Sequence, residues 1–194
     1  MTTIHTIGHG NRPLEELIAR LRDAGIGRLV DVRAFPGSRR HPHFARQALE
    51  KALPQAGMEY VWEGSALGGR RRPAPDSANT ALRNESFRAY ADHMMGAEYQ
   101  VALARLIAHS NERSTAIMCA ERLPWHCHRH LISDSLVARG VTVLHIVSEA
   151  PPRAHAMSPL ARVEGAALVY DRGSVPELDL DGQAPAPSKR RSTS

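Results

Sequence analysis

Short apolar runs alternate along the chain with segments of helical periodicity, and this alternation constrains the fold more than any other feature. The apolar runs lie at residues 4–8, 28–33, 58–62, 115–118 and 141–147, and each predicts a strand. Between the first two runs, Pro13 and Gly25 stand where a helix would begin and end. Alternating strands and helices are typical of a parallel sheet with crossover helices. We therefore predict a single Rossmann-like α/β domain over residues 1–170, with about five mostly parallel strands and helices on both faces.

The C-terminal part differs in composition from the rest. From about residue 150 prolines become frequent, which predicts an irregular extension of the domain, and the apolar run 166–170 predicts a short edge strand. Residues 183–194 are rich in proline, serine and basic side chains, and predict a disordered basic tail.

Several features bear on where the protein acts. No apolar stretch reaches the roughly 20 residues needed to span a bilayer, and no signal peptide precedes the first strand. The two cysteines of the chain are too few for a disulfide framework. We therefore expect a cytoplasmic protein with no membrane partner.

The basic charge is concentrated in one segment. Residues 33–72 contain eight basic and three acidic side chains, so their surplus of five equals the net charge of +5 for the whole chain. Such a surplus favours anionic partners, and guanidinium groups suit phosphate oxygens. Gly68 and Gly69, beside three of these arginines, permit close approach of a ligand to the backbone. A solvated arginine-rich face is the alternative, and charge alone leaves both interpretations open.

Reactive side chains are densest between the run at 115–118 and the helix predicted after it. Both cysteines, Cys119 and Cys127, lie there with Glu121 and Arg129. Cys127 near a helix start is a candidate nucleophile, because a helix N-terminus and nearby cations stabilise a thiolate. Alternatively, the two thiols bind zinc together with one or more of His126, His128 and His130. As a third possibility the cysteines are small core residues.

The spacings argue against well-known cofactor and metal modules. Cys127 and Arg129 are too close together for the phosphate loop of a thiol phosphatase, and the Cys/His spacing is that of no recognised zinc finger or ribbon. The segment Gly8-His-Gly-Asn11 lacks the full dinucleotide fingerprint. We therefore expect no cofactor and no bound metal.

Reactive residues also follow the first two predicted strands, and parallel sheets bind ligands at the carboxyl ends of their strands. We expect one crevice there that acts on a phosphate-containing substrate, a nucleotide or nucleic acid, by a thiol- or carboxylate-dependent hydrolase or transferase reaction. The candidate catalytic residues are Cys127, Glu121 and His9, and the candidate substrate-binding residues are Asn11, Arg33, Arg39, Arg40, Arg70 and Arg129. The alternative is a non-catalytic nucleic-acid-binding or regulatory module in which the cysteines belong to the core.

Several segments, in order, resemble a known family. They are Thr6–Arg12, Leu29–Arg33 with Pro36–Arg40 and Pro42–Phe44, Leu67–Arg70, Met118–Glu121, Cys127–Arg129, His145–Ile146 and Ser158–Arg162. On these motifs the chain resembles the uncharacterised prokaryotic family named domain of unknown function 488 (DUF488), up to about residue 170. Gly10 stands where that family more often has serine. The resemblance implies an α/β fold and this site location, but it implies no reaction.

Overall fold

The computed structural model describes residues 2–37, 40–165 and 167–172. In this part of the chain a six-stranded sheet has the order β3-β2-β4-β1-β5-β6. Its strands are β1 Thr3–Gly8, β2 Arg28–Asp31, β3 Glu59–Trp62, β4 Thr115–Cys119, β5 Thr142–Ile146 and β6 Arg153–Ala154. Strands β1 to β5 pair in parallel, and β6 adds one antiparallel pair at the edge. The predicted mostly parallel α/β sheet is confirmed.

Within the described residues, six α-helices connect or follow the strands. They are α1 Leu14–Asp23, α2 Arg46–Gln55, α3 Gly64–Leu67, α4 Glu85–Met94, α5 Ala97–Glu112 and α6 Arg129–Val137. Helix α1 begins after Pro13, as predicted, and has acidic residues in its first turn and basic residues in its last turn, which complements the helix dipole. The chain leaves α1 through Gly25, whose φ of 65° favours glycine. Short 3-10 turns at Pro42–Phe44 and Pro124–His126 precede α2 and α6.

The helices cover both faces of the sheet and bury a separate apolar cluster on each. On one face, Leu17 of α1 and Leu49 of α2 pack in the same cluster as Leu29 of β2. On the other face, α3 to α6 share a cluster with Ile117 and Cys119 of β4. Because side chains alternate along a strand, Asp31 and Arg33 follow Leu29 to the first face. Residues at the same carboxyl edge of the sheet are thereby divided between its two faces.

The last described residues form a hairpin beside the main sheet. Strands β7 Ala161–Glu164 and β8 Ala167–Tyr170 pair antiparallel, and Gly165 between them has a φ of 60°. The run predicted as an edge strand is thus a strand, but it pairs with β7 instead of the sheet. The hydroxyl of Tyr170 donates to buried Asp134 of α6, and its backbone N–H donates to Asn79, which docks β8 away from the sheet edge.

Two further sequence predictions concern the C-terminal tail and membrane-spanning helices. The predicted tail at residues 183–194 lies outside the described residues. Among the helices of the described residues, none combines the length and apolar character needed to cross a membrane.

Candidate active site

A hydrogen-bonded set of residues lies at the carboxyl end of β2. We call it the Asp31 network, and it consists of Asp31, Arg33, Tyr60, His9 and Phe44, the last through its backbone carbonyl. Asp31 is fully buried and accepts from Arg33 at both oxygens, from Nε to Oδ1 at 2.8 Å and from Nη2 to Oδ2 at 2.5 Å. The Tyr60 hydroxyl also donates to Oδ2, at 2.7 Å. Arg33 Nη2 donates in addition to the Phe44 carbonyl, at 2.8 Å. The buried charges are therefore paired and hydrogen-bonded, which burial of an ion pair requires.

His9 joins the Asp31 network through both ring nitrogens. Its Nδ1 lies 2.8 Å from the Gly10 carbonyl, and its Nε2 lies 3.2 Å from Arg33 Nη1. A carbonyl only accepts and a guanidinium only donates, so the ring is neutral with its hydrogen on Nδ1. Burial, followed by the charge of Arg33, outweighs the Gly10 hydrogen bond and lowers the pKa of His9 to about 4. The ring stacks on Phe44 with centroids 4.2 Å apart.

A second group lies on the other face of the sheet, and we call it the Cys–His cluster: Cys119, Cys127 and His128. Cys119 ends β4, whereas Cys127 and His128 lie between the 3-10 turn and α6. His128 Nδ1 lies 3.5 Å from the Cys127 sulfur and 3.9 Å from the Cys119 sulfur. All three ligand atoms lie within 4.8 Å of one another. Both cysteines are buried and free of disulfide.

The orientation of the His128 ring is fixed from its far side. Nε2 lies 2.9 Å from the Val32 carbonyl, directly after β2. Because a carbonyl only accepts, Nε2 carries a hydrogen and Nδ1 is directed at the two sulfurs. Burial raises the pKa of Cys127, but the hydrogen bond from the Cys119 thiol, the contact with His128 and the charge of Arg129 outweigh it, so the pKa is well below the ordinary value. The same hydrogen bond, with burial, raises the pKa of Cys119.

A glycine-containing loop after β3 packs against this cluster. A Cβ on Gly64 would lie 1.9 Å from the Arg33 carbonyl, and one on Gly68 would lie 2.7 Å from the Ala34 Cα. Only glycine permits these approaches, which hold the loop against the chain after β2. Gly69 follows, where a Cβ would lie 3.1 Å from His128 Nδ1. The next residue, Arg70, has a φ of 63°, a backbone conformation rare outside glycine.

The model of the family DUF488, domain of unknown function, matches residues 13–136, well over half of the chain. The chain belongs to the DUF488 family. The match contains Asp31, Arg33 and the whole Cys–His cluster. Residues 6–12, 145–146 and 158–162, which also resemble the family, lie outside it, whereas the other motifs lie within residues 13–136. Comparison with curated proteins and with solved structures gave no further match.

The DUF488 fold brings some of the predicted site residues together and separates others. Cys127 lies beside Cys119 and His128, whereas His9 and Arg33 belong to the Asp31 network on the opposite face. The guanidinium donors of Arg33 are shared among Asp31, Phe44 and His9. Each guanidinium nitrogen of Arg33 and each ring nitrogen of His9 thus has at least one partner within the protein.

Arg129 and Glu121, both predicted site residues, meet through the backbone. Arg129 is only 1% exposed and donates to the carbonyls of Glu121 and Arg122, and to the Thr6 hydroxyl at 3.4 Å. Its buried guanidinium thus holds the turn after β4. The Glu121 side chain is exposed.

The remaining predicted substrate-binding residues lie at the surface. Asn11 is exposed beside a shallow groove of about 460 Å³ at the start of α1, and Arg40 is exposed in the loop before α2. Arg70 is exposed after Gly69. Arg39 lies outside the described residues.

Sequence reasoning missed one residue that organises this DUF488 site and did not single out a second. Asp31 was assigned only to a buried strand, although Asp31 and Arg33 at positions i and i+2 point to the same side and form a pair. His128 was named only as one of three alternative histidine ligands of zinc. Its proximity to Cys119 depends on the 3-10 turn at Pro124–His126, for which proline is the only sequence signal.

Proposed function

We propose that this protein is an enzyme, a hydrolase or transferase that acts on a phosphate-containing substrate, with the Cys–His cluster as its reactive centre. The observation that carries the proposal is the direction of His128, whose Nδ1 faces both sulfurs at the carboxyl edge of a parallel sheet. A sulfur beside an imidazole nitrogen readily becomes a thiolate, the form of cysteine that acts in catalysis. That sheet edge is also where open α/β folds bind their ligands.

The loop over the cluster supports a nucleotide or nucleic acid as the substrate. The Arg70 guanidinium lies over the ring of Phe35 at 5.9 Å, and Phe35 is 72% exposed. Within the described residues no carboxylate pairs with Arg70. An exposed aromatic face beside a guanidinium suits a base together with its phosphate. Arg70 follows Gly69, whose backbone adjoins the His128 ring, so this surface borders the reactive centre.

Two further predicted residues extend this surface in the proposal. Arg40 is exposed in the same basic segment and would add positive charge for a longer phosphate backbone. The exposed carboxylate of Glu121, two residues after β4, remains our candidate general acid or base.

A non-catalytic nucleic-acid-binding module is the second candidate, because one observation favours it. Cys127 and Cys119 are only 3% and 7% exposed, so the sulfurs are nearly closed to solvent. The Phe35–Arg70 surface would serve such a module equally well. The two candidates differ in whether the cluster is needed for turnover.

The test is a screen of the full chain against phosphomonoesters, nucleotides and oligonucleotides, with product release as the readout. We expect turnover that falls by at least about 100-fold in Cys127→Ala and His128→Gln, the usual magnitude for an acid–base or nucleophilic group. His126→Gln is the matched control, because His126 is exposed and lies next to the cluster without joining it. Arg70→Ala should raise KM with little change in kcat, since it would contact only the bound phosphate.

The outcomes separate the candidates. Oligonucleotide binding that requires Phe35 and Arg70, without turnover of any substrate, would favour the binding module. Turnover that survives unchanged in both Cys127→Ala and His128→Gln would contradict the Cys–His cluster as the reactive centre.

A further inference from the structure

We propose that Cys119, Cys127 and His128 bind one zinc ion through their Sγ, Sγ and Nδ1 atoms. The Cys/His spacing led to the opposite expectation, because it is that of no recognised zinc finger or ribbon. The inference deepens the proposed function by naming the ion of its reactive centre, and only the use of that ion rests on the proposed function. Binding itself is measurable without any substrate.

The distances fit the ion. Zinc bonds to thiolate sulfur at about 2.3 Å and to imidazole nitrogen at about 2.0–2.1 Å, in tetrahedral geometry. Two such bonds at the tetrahedral angle place sulfur and nitrogen about 3.5 Å apart. The Cys127 sulfur lies 3.5 Å from His128 Nδ1, and the Cys119 sulfur lies 3.9 Å from it. Both sulfur–nitrogen distances are thus close to that of a tetrahedral site, and all three ligand atoms lie within 4.8 Å of one another.

The far side of His128 supplies an independent argument. Histidines that bind metals donate their other ring N–H to a carbonyl or carboxylate, which fixes the tautomer and the ring direction. His128 Nε2 lies 2.9 Å from the Val32 carbonyl, so Nδ1 is the free ligand atom and is already aimed between the sulfurs. The backbone of β2 therefore provides the support that a zinc-binding imidazole requires.

The chemistry of the donors selects the metal. Two sulfurs and one imidazole suit zinc, whereas magnesium and calcium take oxygen ligands. Among the described residues, no further histidine, cysteine or carboxylate joins the three. Three protein ligands leave one position of a tetrahedron open, which is typical of catalytic zinc. Gly69 lies beside that nitrogen with no side chain, and a Cβ there would intrude to 3.1 Å from Nδ1.

The experiment is a titration of the reduced, chelator-treated full chain with cobalt(II), which takes zinc sites and reports thiolate ligands by charge-transfer absorption. We expect one equivalent per chain and displacement of cobalt by zinc. Cys119→Ser and Cys127→Ser should each lower the intensity of the charge-transfer band, and the double variant should abolish it. His128→Gln should weaken binding by more than the roughly 10–100-fold that loss of an outer-shell partner costs. His126→Gln should bind as the parent chain does.

A measurement on the parent chain avoids dependence on variants that fail to fold. Zinc should protect two thiols per chain from alkylation, and removal of zinc should restore their reaction. Absence of protection, cobalt bound without charge transfer, or a Cys119–Cys127 disulfide that forms equally fast with zinc present would each overturn the inference.

Zinc binding at the Cys–His cluster and the use of zinc in turnover can be disproved separately. Zinc binding without phosphate chemistry would leave this inference standing and would overturn the proposed function. Turnover that is unchanged after complete metal removal would leave the proposed function and the zinc site standing, and would overturn only the use of the ion in that reaction.

Discussion

The Asp31 network and the Cys–His cluster lie at the same edge of one sheet, on opposite faces, and they differ in how their polar atoms meet. In the Asp31 network each donor meets an acceptor, and one carboxylate accepts from both Arg33 and Tyr60. In the Cys–His cluster three electron-pair donors converge within 4.8 Å. Complementary buried groups satisfy one another, so the loss of one partner is costly, whereas convergent like groups favour a proton or a metal ion between them.

The largest expected effect is the loss of the Asp31 carboxylate. Asp31→Ala leaves the Arg33 guanidinium buried without its counter-ion and removes an acceptor from Tyr60. Breaking a buried pair in this way costs about 3–5 kcal/mol, so we expect that loss in the free energy of unfolding, measured with urea. Glu50→Ala is the control, because it breaks an ion pair with Arg46 whose partners are both about 40% exposed, worth about 0–1 kcal/mol.

The same substitution tests the comparison itself. If the two regions are independent, the folded Asp31→Ala protein should still bind one equivalent of cobalt per chain at the Cys–His cluster. A stability loss below about 1 kcal/mol would show that the Asp31 network contributes little net energy.

A smaller effect is expected from acid, acting on the Asp31 network through His9. The pKa of His9 is lowered from 6.5 to about 4, so between these values the unfolded chain binds more protons than the folded one. This contribution to stability is therefore complete above pH 6.5 and is lost as the pH falls towards 4, at up to about 1.4 kcal/mol per pH unit. His9→Gln should make the stability profile flatter across this range.

The check is urea unfolding over a pH series, with His126→Gln as a matched removal of an exposed histidine. If the free energy of unfolding changes with pH equally in the parent and His9→Gln proteins, His9 has the same pKa in the folded and the unfolded chain. The Gly10 hydrogen bond and the charge of Asp31, which both raise the pKa of His9, would then compensate its burial.

The sequence predicted much of the fold but did not distinguish these two regions. Alternating apolar runs predicted the parallel sheet because crossovers require helices between strands. Strands β2 and β4 are buried at every position, so their alternation carries no signal of which face Asp31 or Cys119 joins. The positions of the reactive residues after strands therefore placed them at one edge of the sheet, but left open which face each of them joins.

A third, moderate effect is expected at the Cys–His cluster from Gly69→Ala. The new methyl group would lie 3.1 Å from His128 Nδ1, and His128 is held by the Val32 carbonyl, so crowding should cost about 1–3 kcal/mol of stability. Cobalt affinity should fall as well, because the ring would turn from the sulfurs. Gly37→Ala is the control, since a Cβ there meets nothing within 4 Å. Equal cobalt binding by both variants would show that Gly69 does not border the ligand atoms.

The smallest effect on stability is expected at the surface that we assign to the substrate. Phe35 is 72% exposed, so Phe35→Ala should change the free energy of unfolding by no more than about 0.5 kcal/mol. Base stacking on an aromatic ring is worth about 1–3 kcal/mol, so oligonucleotide affinity should fall roughly 5- to 150-fold. Val101→Ala on α5 is the control, because Val101 is also exposed, at 61%. Fluorescence anisotropy at fixed salt measures the affinity, since salt alone shifts binding to phosphate. A stability loss above about 1 kcal/mol with unchanged affinity would make Phe35 part of the fold, and a nucleotide substrate would lose its main support.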